Sequence, residues 1–181
     1  MNYLKIEHED VCNGTGLRVV LWLSGCSHHC HNCQNPQTWN PGSGIPFDEL
    51  ARQEIFNELS NDYISGITFS GGDPLHENNL DEVLKLVQEI RNSYPDKSIW
   101  LYTGYQWNQI MLPIPTITDD LHTIEVTDKR KKIISNVNVL VDGEYIDEQK
   151  DLTLKWCGSK NQHVINVKQS LAQNKIILYC N

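Results

Sequence analysis

Three of the six cysteines in this chain fall within eight residues, spaced C-x3-C-x2-C as Cys26, Cys30 and Cys33. No other feature restricts the fold as much. The loop Gly25-Cys26-Ser27-His28-His29-Cys30-His31-Asn32-Cys33 follows directly on an apolar, β-branched run at 17–24. Such a run predicts a strand buried on both faces, with the cysteine loop at its carboxyl end. Three thiolates in one tight loop suit an iron–sulfur cubane, which wants four ligands and so keeps one iron open to a substrate. A closed zinc site needs a fourth ligand, for which His28, His29 and His31 are at hand. Zinc knuckles usually come as separated C-x2-C pairs, whereas Cys157 and Cys180 stand alone. The spacing therefore favours iron–sulfur over zinc, and zinc over mere packing. Cys12, Cys157 and Cys180 read as ordinary buried thiols.

Length and charge narrow the class. A chain of 181 residues suits one domain, 1–181, with a core large enough to stand without disulfide staples. Fifteen Lys and Arg against 23 Asp and Glu give a net charge of −8, which argues against nucleic acid or an anionic membrane as partner. No apolar run is long enough to span a bilayer. The start, Met1-Asn2-Tyr3-Leu4-Lys5-Ile6-Glu7, has no signal-peptide pattern. Clustered cysteines without a secretory signal point to the reducing cytoplasm.

The rest of the chain alternates strand and helix. Helix 48–60 carries Phe47, Leu50, Ala51, Ile55 and Leu59 at three- and four-residue steps, with Asp48 as cap. Strand 66–70 runs into Gly71-Gly72-Asp73-Pro74. The next helix lines up Leu80, Val83, Leu84, Val87 and Ile90, and Asn79 with Glu82 resembles a capping box. Strands 98–103 and 137–142 follow, with a short helix at 128–135 between them. Pro113 and Pro115 break any long element. Two apolar runs, 163–167 and 175–180, close the chain. Lys129-Arg130-Lys131-Lys132 reads as a solvated helix face, and the five tryptophans mostly as core, with Trp107 nearer the surface.

Four parallel strands are too few for an eight-fold barrel. They suit an α/β fold with a mostly parallel sheet in a partial, open (β/α) barrel, whose site lies at the strands' carboxyl ends. Those ends are Ser24-Gly25-Cys26, Ser70-Gly71-Gly72-Asp73, Thr103-Gly104 and Asp142-Gly143. Alone, a Gly-Gly turn between strand and helix is a weak signal. Beside a three-cysteine loop it becomes a place where a small ligand can approach bare backbone.

The C-x3-C-x2-C loop and the Gly-Gly-acid-Pro turn resemble those of radical S-adenosylmethionine (SAM) enzymes. Asn13-Gly14-Thr15-Gly16-Leu17-Arg18, Trp39, Ser70–His76, Leu101–Tyr105, Val139–Gly143 and Gly158–Gln162 together resemble the activases of anaerobic ribonucleotide reductases, in order over nearly the whole chain. The resemblance implies a [4Fe-4S] cluster on Cys26, Cys30 and Cys33, with SAM chelating the fourth iron. It implies that Gly71, Gly72 and Asp73 hold the methionine end of SAM and that Asn32, Cys33 and Gln34 line the adenine side. Thr103 and Asp142 would reach the ribose or methionine part. Asn161 and Gln162 would either complete the pocket or cap the fold. The implied chemistry is reductive cleavage of SAM to methionine and a 5′-deoxyadenosyl radical, which takes an α-hydrogen from a glycine of the reductase's large subunit. An external one-electron reductant, flavodoxin-like or similar, would feed the cluster.

Three departures stand out. Thr15 replaces a frequent Pro, Asn32 stands where many radical SAM enzymes have an aromatic, and 113–127 looks like an insertion. A small radical SAM enzyme with a small-molecule substrate is the alternative, and a zinc-binding interaction module a more distant one.

Overall fold

The computed structural model describes residues 1–112 and 120–179. Its strands are β1 (Asn2–Asp10), β2 (Leu17–Leu23), β3 (Ile45–Pro46), β4 (Ile64–Gly71), β5 (Ser98–Tyr102), β6 (Val139–Asp142) and β7 (His163–Asn166). Among the described residues they form one open sheet in the order β3-β1-β2-β4-β5-β6-β7. The central strands β2, β4, β5 and β6 are parallel, as their apolar sequences predict. Antiparallel β1 and β7 flank them. The α/β class and the open sheet agree with the sequence reading.

β1 is a strand that the sequence pattern does not announce. Its charged alternation, Lys5, Glu7 and Glu9 against Leu4, Ile6 and His8, lacks the continuous apolar run of a central strand. It pairs with the buried β2 across Tyr3↔Leu23 and Ile6↔Leu21.

The helices are α1 (Glu49–Leu59), α2 (Leu80–Ser93), α3 (Trp107–Met111), α4 (Leu121–Asn136) and α5 (Val167–Gln173). Asp48 caps α1 by accepting from the Ala51 N–H. Ala51, Ile55 and Leu59 are buried as expected, but Leu50 is 73% exposed, one position off the inward stripe. Arg52 of α1 ties the helix to Glu82 and Glu89 of α2. In α2 the inward face is Leu80, Val83, Leu86, Val87 and Ile90, so Leu86 takes the central place expected of the half-buried Leu84.

The expected capping box at Asn79 and Glu82 does not form. The Asn79 amide is spent elsewhere, donating to the carbonyls of Ser24 (2.8 Å) and Asp73 (3.0 Å). The helix expected at 128–135 is twice as long, because Asp120 caps an earlier start at Leu121 by accepting from the Thr123 N–H. Residues 121–127 of the expected insertion belong to this helix, and Pro113 and Pro115 lie outside the described residues. The run expected at 175–180 makes a single described bridge, Ile165↔Leu178, and Cys180 is outside the described residues.

Helices α1, α2 and α4 pack on one sheet face over Leu21, Leu23, Ile67, Phe69, Ile99, Leu101 and Leu140. The alternate residues of the same strands point to the other face, where Trp100, Val139, Val141 and Val164 cluster with Tyr102 and Trp156. On that face Trp100, Trp156 and Tyr179 stack edge to face, with centroids 5.1 to 6.0 Å apart. Trp107 is buried rather than near the surface, because its N–H donates to the Asp142 carboxylate. No helix among the described residues is long and apolar enough to cross a membrane.

Candidate functional site

The carboxyl ends of β2, β4, β5 and β6 surround a cavity of about 340 Å³, within the range of small-molecule sites. Cys26, Cys30 and Cys33 all line it, with Gln34, Ser70, Gly71, Gly72, Asp73, Thr103 and Gly143. Cys12 and Cys157 line it too; Cys12 is exposed, not buried as its lone position in the sequence suggested.

The cysteine loop is wound tightly. Its non-glycine residues His29 and Asn32 have φ of 49° and 55°. Asn tolerates this left-handed region better than most residues, which gives Asn32 a backbone reason to be there. Its side chain leaves the cavity and donates to Asp147 (2.8 Å). Main-chain N–H groups reach each sulfur: those of His28 and His29 at Cys26, that of Tyr145 at Cys30, and that of Asn35 at Cys33 (3.4 Å). Burial pushes the Cys26 thiol up to about 11, a poor free nucleophile but a normal state for a thiol that a metal will deprotonate. Three such thiols on one wall, each with an N–H aimed at its sulfur, fit an iron–sulfur cluster, whose sulfurs accept hydrogen bonds of this kind.

Of the histidines offered as a fourth zinc ligand, His28 is committed elsewhere. Both ring nitrogens of His28 are engaged, Nε2 with Asp73 (2.8 Å) and Nδ1 with Glu144 (2.9 Å). His29 lies against Trp39 at 4.8 Å. Among the described residues no three His, Cys, Asp or Glu side chains converge as ligands of one ion. Burial pushes the His28 imidazole down, but the Asp73 and Glu144 carboxylates outweigh it and hold it above the ordinary value.

The Gly-Gly turn is locked to the cysteine loop. Gly72 N–H donates to Leu23 O (2.8 Å) and Asp73 N–H to Gly25 O (2.7 Å). Gly71 has φ of 97°, which other residues adopt at a cost. A Cβ on Gly72 would stand 2.6 Å from the Gly25 carbonyl oxygen. Any side chain there disturbs the cysteine loop before it fills the cavity, so a Gly72 variant does not isolate ligand binding.

Asp73 is 2% exposed, and its carboxylate is fully used. Oδ1 accepts from the Leu75 N–H (2.8 Å), Oδ2 from Gly104 N–H (3.1 Å) and His28, and the Thr103 hydroxyl lies 2.9 Å from both oxygens. Four donors fill what a carboxylate can accept. Asp142 is equally committed, to the Trp107 N–H (2.7 Å) and to the His163 N–H (3.1 Å) and ring (2.9 Å). Asn161 donates to Glu144 O, and Gln162 accepts from the N–H groups of Gly158 and Ser159 while donating to Gly143 O. These two residues build the loops, and Gln162 also contributes to the cavity wall. The structure therefore brings Cys26, Cys30, Cys33, Gln34, Gly71, Gly72, Asp73 and Thr103 to one cavity, and places Asn32 and Asp142 outside its lining.

His28 and Glu144 are the functional-site residues that the sequence did not single out in this role. Their partnership spans 116 residues, and no local pattern signals it. The run Lys129–Lys132 is not merely a solvated face. Arg130 donates to Leu75 O (3.0 Å) and the Tyr105 hydroxyl (2.7 Å), and its guanidinium lies over the Tyr105 ring at 4.1 Å.

A model of the 4Fe-4S single cluster domain family matches residues 12–165, which include the whole cysteine loop and all the cavity residues named above. The chain belongs to this family of iron–sulfur proteins. At finer grain it is 38% identical over 170 residues to the anaerobic ribonucleoside-triphosphate reductase-activating protein of Haemophilus influenzae, covering 93% of this chain and 99% of the relative. The protein of that name from Escherichia coli K12 is 39% identical over 93% of this chain and 100% of its own length. The one from Enterobacteria phage T4 is 37% identical over 91% of this chain and 93% of its own. The chain is thus a member of the anaerobic ribonucleoside-triphosphate reductase-activating protein family.

Proposed function

We propose that this protein activates an anaerobic ribonucleotide reductase by reductive cleavage of SAM at a [4Fe-4S] cluster on Cys26, Cys30 and Cys33, and that the hydrogen removed is an α-hydrogen of a glycine in the reductase's large subunit. The observation that carries this reading is the meeting of three thiols and the Ser70-Gly71-Gly72 turn in one cavity, in a chain that aligns with activating proteins over nearly all its length. When bound, the cluster supplies an electron, drawn from an external flavodoxin-like or similar donor, and SAM supplies the hydrogen-abstracting group.

The protein's own part is binding and orientation. Burial raises the free Cys26 and Cys30 thiols, and nearby main-chain N–H groups offset part of that effect, so ligation itself must draw off their protons. Bare backbone at Gly71 and Gly72 gives the methionine end of SAM a polar edge to bind. Gln34, on the cavity wall, serves the adenine side. Trp22, Tyr102 and Val141 line the cavity and give it apolar surface beside the polar turn. Asp73, Thr103, Asn32 and Asp142 act through the loops that they hold.

The test is electron paramagnetic resonance on reconstituted protein with SAM, a one-electron reductant and the large reductase subunit. A glycyl doublet on the large subunit is expected, collapsing when that subunit carries α-deuterated glycine, with the deuterium recovered in 5′-deoxyadenosine. Rapid SAM cleavage with no radical on the partner and no label transfer would overturn the activase reading in favour of a small-molecule substrate.

A further inference from the structure

His28 sits inside the cysteine loop, yet its side chain contacts three other strand-end segments. Its Nε2 meets Asp73 after β4 (2.8 Å), its Nδ1 meets Glu144 after β6 (2.9 Å), and its ring stands edge-on to Tyr105 after β5 at a centroid distance of 4.6 Å. The side chain is 9% exposed. Space for it exists because residue 104 is glycine: a Cβ there would fall 2.4 Å from the imidazole. Three segments far apart in sequence thus each give something specific to seat one ring. Simple filling of space would not call for two carboxylates.

We infer that His28 is a positioning residue, which fixes the cysteine loop on the Gly-Gly-Asp turn so that the cluster and the methionine end of SAM are held in one register. This inference rests on the SAM reading above. Asp73 is the residue through which His28 acts. Its four acceptor positions are filled from inside the protein, so its carboxylate acts as a hub and not as a ligand-facing group. The main-chain link between turn and loop, Asp73 N–H to Gly25 O, is made before the first cysteine. The His28 link is made between Cys26 and Cys30, at the part of the loop that carries the ligands. Removing the imidazole leaves the cysteines in place but frees the loop to shift against the turn. A shift of about 1 Å is enough to cost ~100-fold where two reacting groups must meet.

The experiment uses the full chain, reconstituted anaerobically, with three readouts: iron content, binding of radiolabelled SAM, and the change that SAM makes in the paramagnetic signal of the reduced cluster. His28→Ala is expected to keep near-native iron, to bind SAM at least about 10-fold more weakly, and to show a smaller SAM-induced signal change at equal occupancy. His28→Gln, whose amide can still donate to Asp73, should recover part of both. Asp73→Asn, which also disturbs the Leu75 and Gly104 N–H donors, should weaken SAM binding at least as much as His28→Ala, and adding His28→Ala to it should cost little more, since both break the His28 link. Native SAM affinity and a native signal change in His28→Ala, or full additivity in the double variant, would overturn the inference. Should His28→Ala fail to hold iron, His28→Phe, which keeps the ring's bulk but not its bond to Asp73, decides: full iron with weakened SAM supports the role, and full iron with native SAM affinity, or loss of iron again, refutes it. Failure of the unaltered protein to bind SAM would overturn the SAM reading itself, a result separable from all of these.

Discussion

Arg18 and Asp73 lie at opposite ends of the central strands, and each is a buried charged side chain without exposed surface to speak of. At the amino end Arg18 donates from Nε to the Thr68 hydroxyl (2.8 Å), from Nη1 to Thr15 O (3.1 Å) and the Ser98 hydroxyl (2.8 Å), and from Nη2 to Ile67 O (2.6 Å) and Ser98 O (2.9 Å). All its acceptors are neutral, and the Trp100 ring lies 5.4 Å from the guanidinium. Burial lowers its pKa to about 10, so it stays charged. At the carboxyl end Asp73 is just as fully bonded, but its donors come from the loops around the cavity. One charge fastens strands to strands. The other fastens a ligand-bearing loop to the turn opposite. At the amino end every N–H of Arg18 is taken up, whereas the carboxyl end leaves sulfurs and glycine backbone facing an open space. That difference fits the proposed chemistry at one end of the sheet and a stabilising role at the other.

The sharpest way to break this comparison is to remove the sulfurs. Any one of Cys26→Ala, Cys30→Ala or Cys33→Ala should reduce iron and sulfide uptake from about four each per chain to near zero. Cys12→Ala, which touches the same cavity from outside the loop, should leave uptake unchanged. Stoichiometric zinc with no iron uptake in the unaltered protein would contradict the cluster reading.

Removing the charge at the other end should do the reverse. Arg18→Leu strands several buried oxygens without donors, and a loss of about 3 kcal/mol or more is expected from anaerobic urea denaturation. Arg18→Lys should fall between, because an ammonium cannot reach five acceptors in a plane. SAM affinity of whatever remains folded should stay near native. A large, specific loss of SAM binding in Arg18→Lys with native stability would show that the two ends are not separate.

The smallest effect lies away from both ends. His8 on β1 bonds Glu54 (2.7 Å) and Glu58 (3.0 Å) of α1, and the Glu54 hydrogen bond first, then Glu58, raise its pKa against the opposing effect of burial. A raised folded-state pKa means the stabilisation is complete below the unfolded value of about 6.5 and lost as pH rises through the folded value. His8→Gln should therefore lower Tm at about pH 6 and leave it unchanged at about pH 9, with iron content native at both. The groups are partly exposed, so the shift should be small and should shrink further in high salt. An equal Tm deficit at both pH values would remove the ion pairs from the account.

The sequence by itself determined the three-cysteine loop, the four parallel strands and the Gly-Gly turn. Each is a local pattern: a spacing, a continuous apolar run, or a pair of residues lacking Cβ atoms. It also determined the Asp48 cap, a bond across three residues. It did not reveal β1, because a strand that earns its place by pairing with a buried neighbour can carry charges on half its positions. It misassigned Asn79, since the same amide that can cap a helix can reach the Ser24 and Asp73 carbonyls, 55 and six residues away, and sequence does not rank the two. The deeper decision, that His28 serves two carboxylates and that the Asp73 carboxylate at the cavity wall is spent on donors from the protein, was made by tertiary structure alone. Those bonds join residues 45 and 116 apart, and their strength comes from burial that exists only once the sheet has brought the loops together.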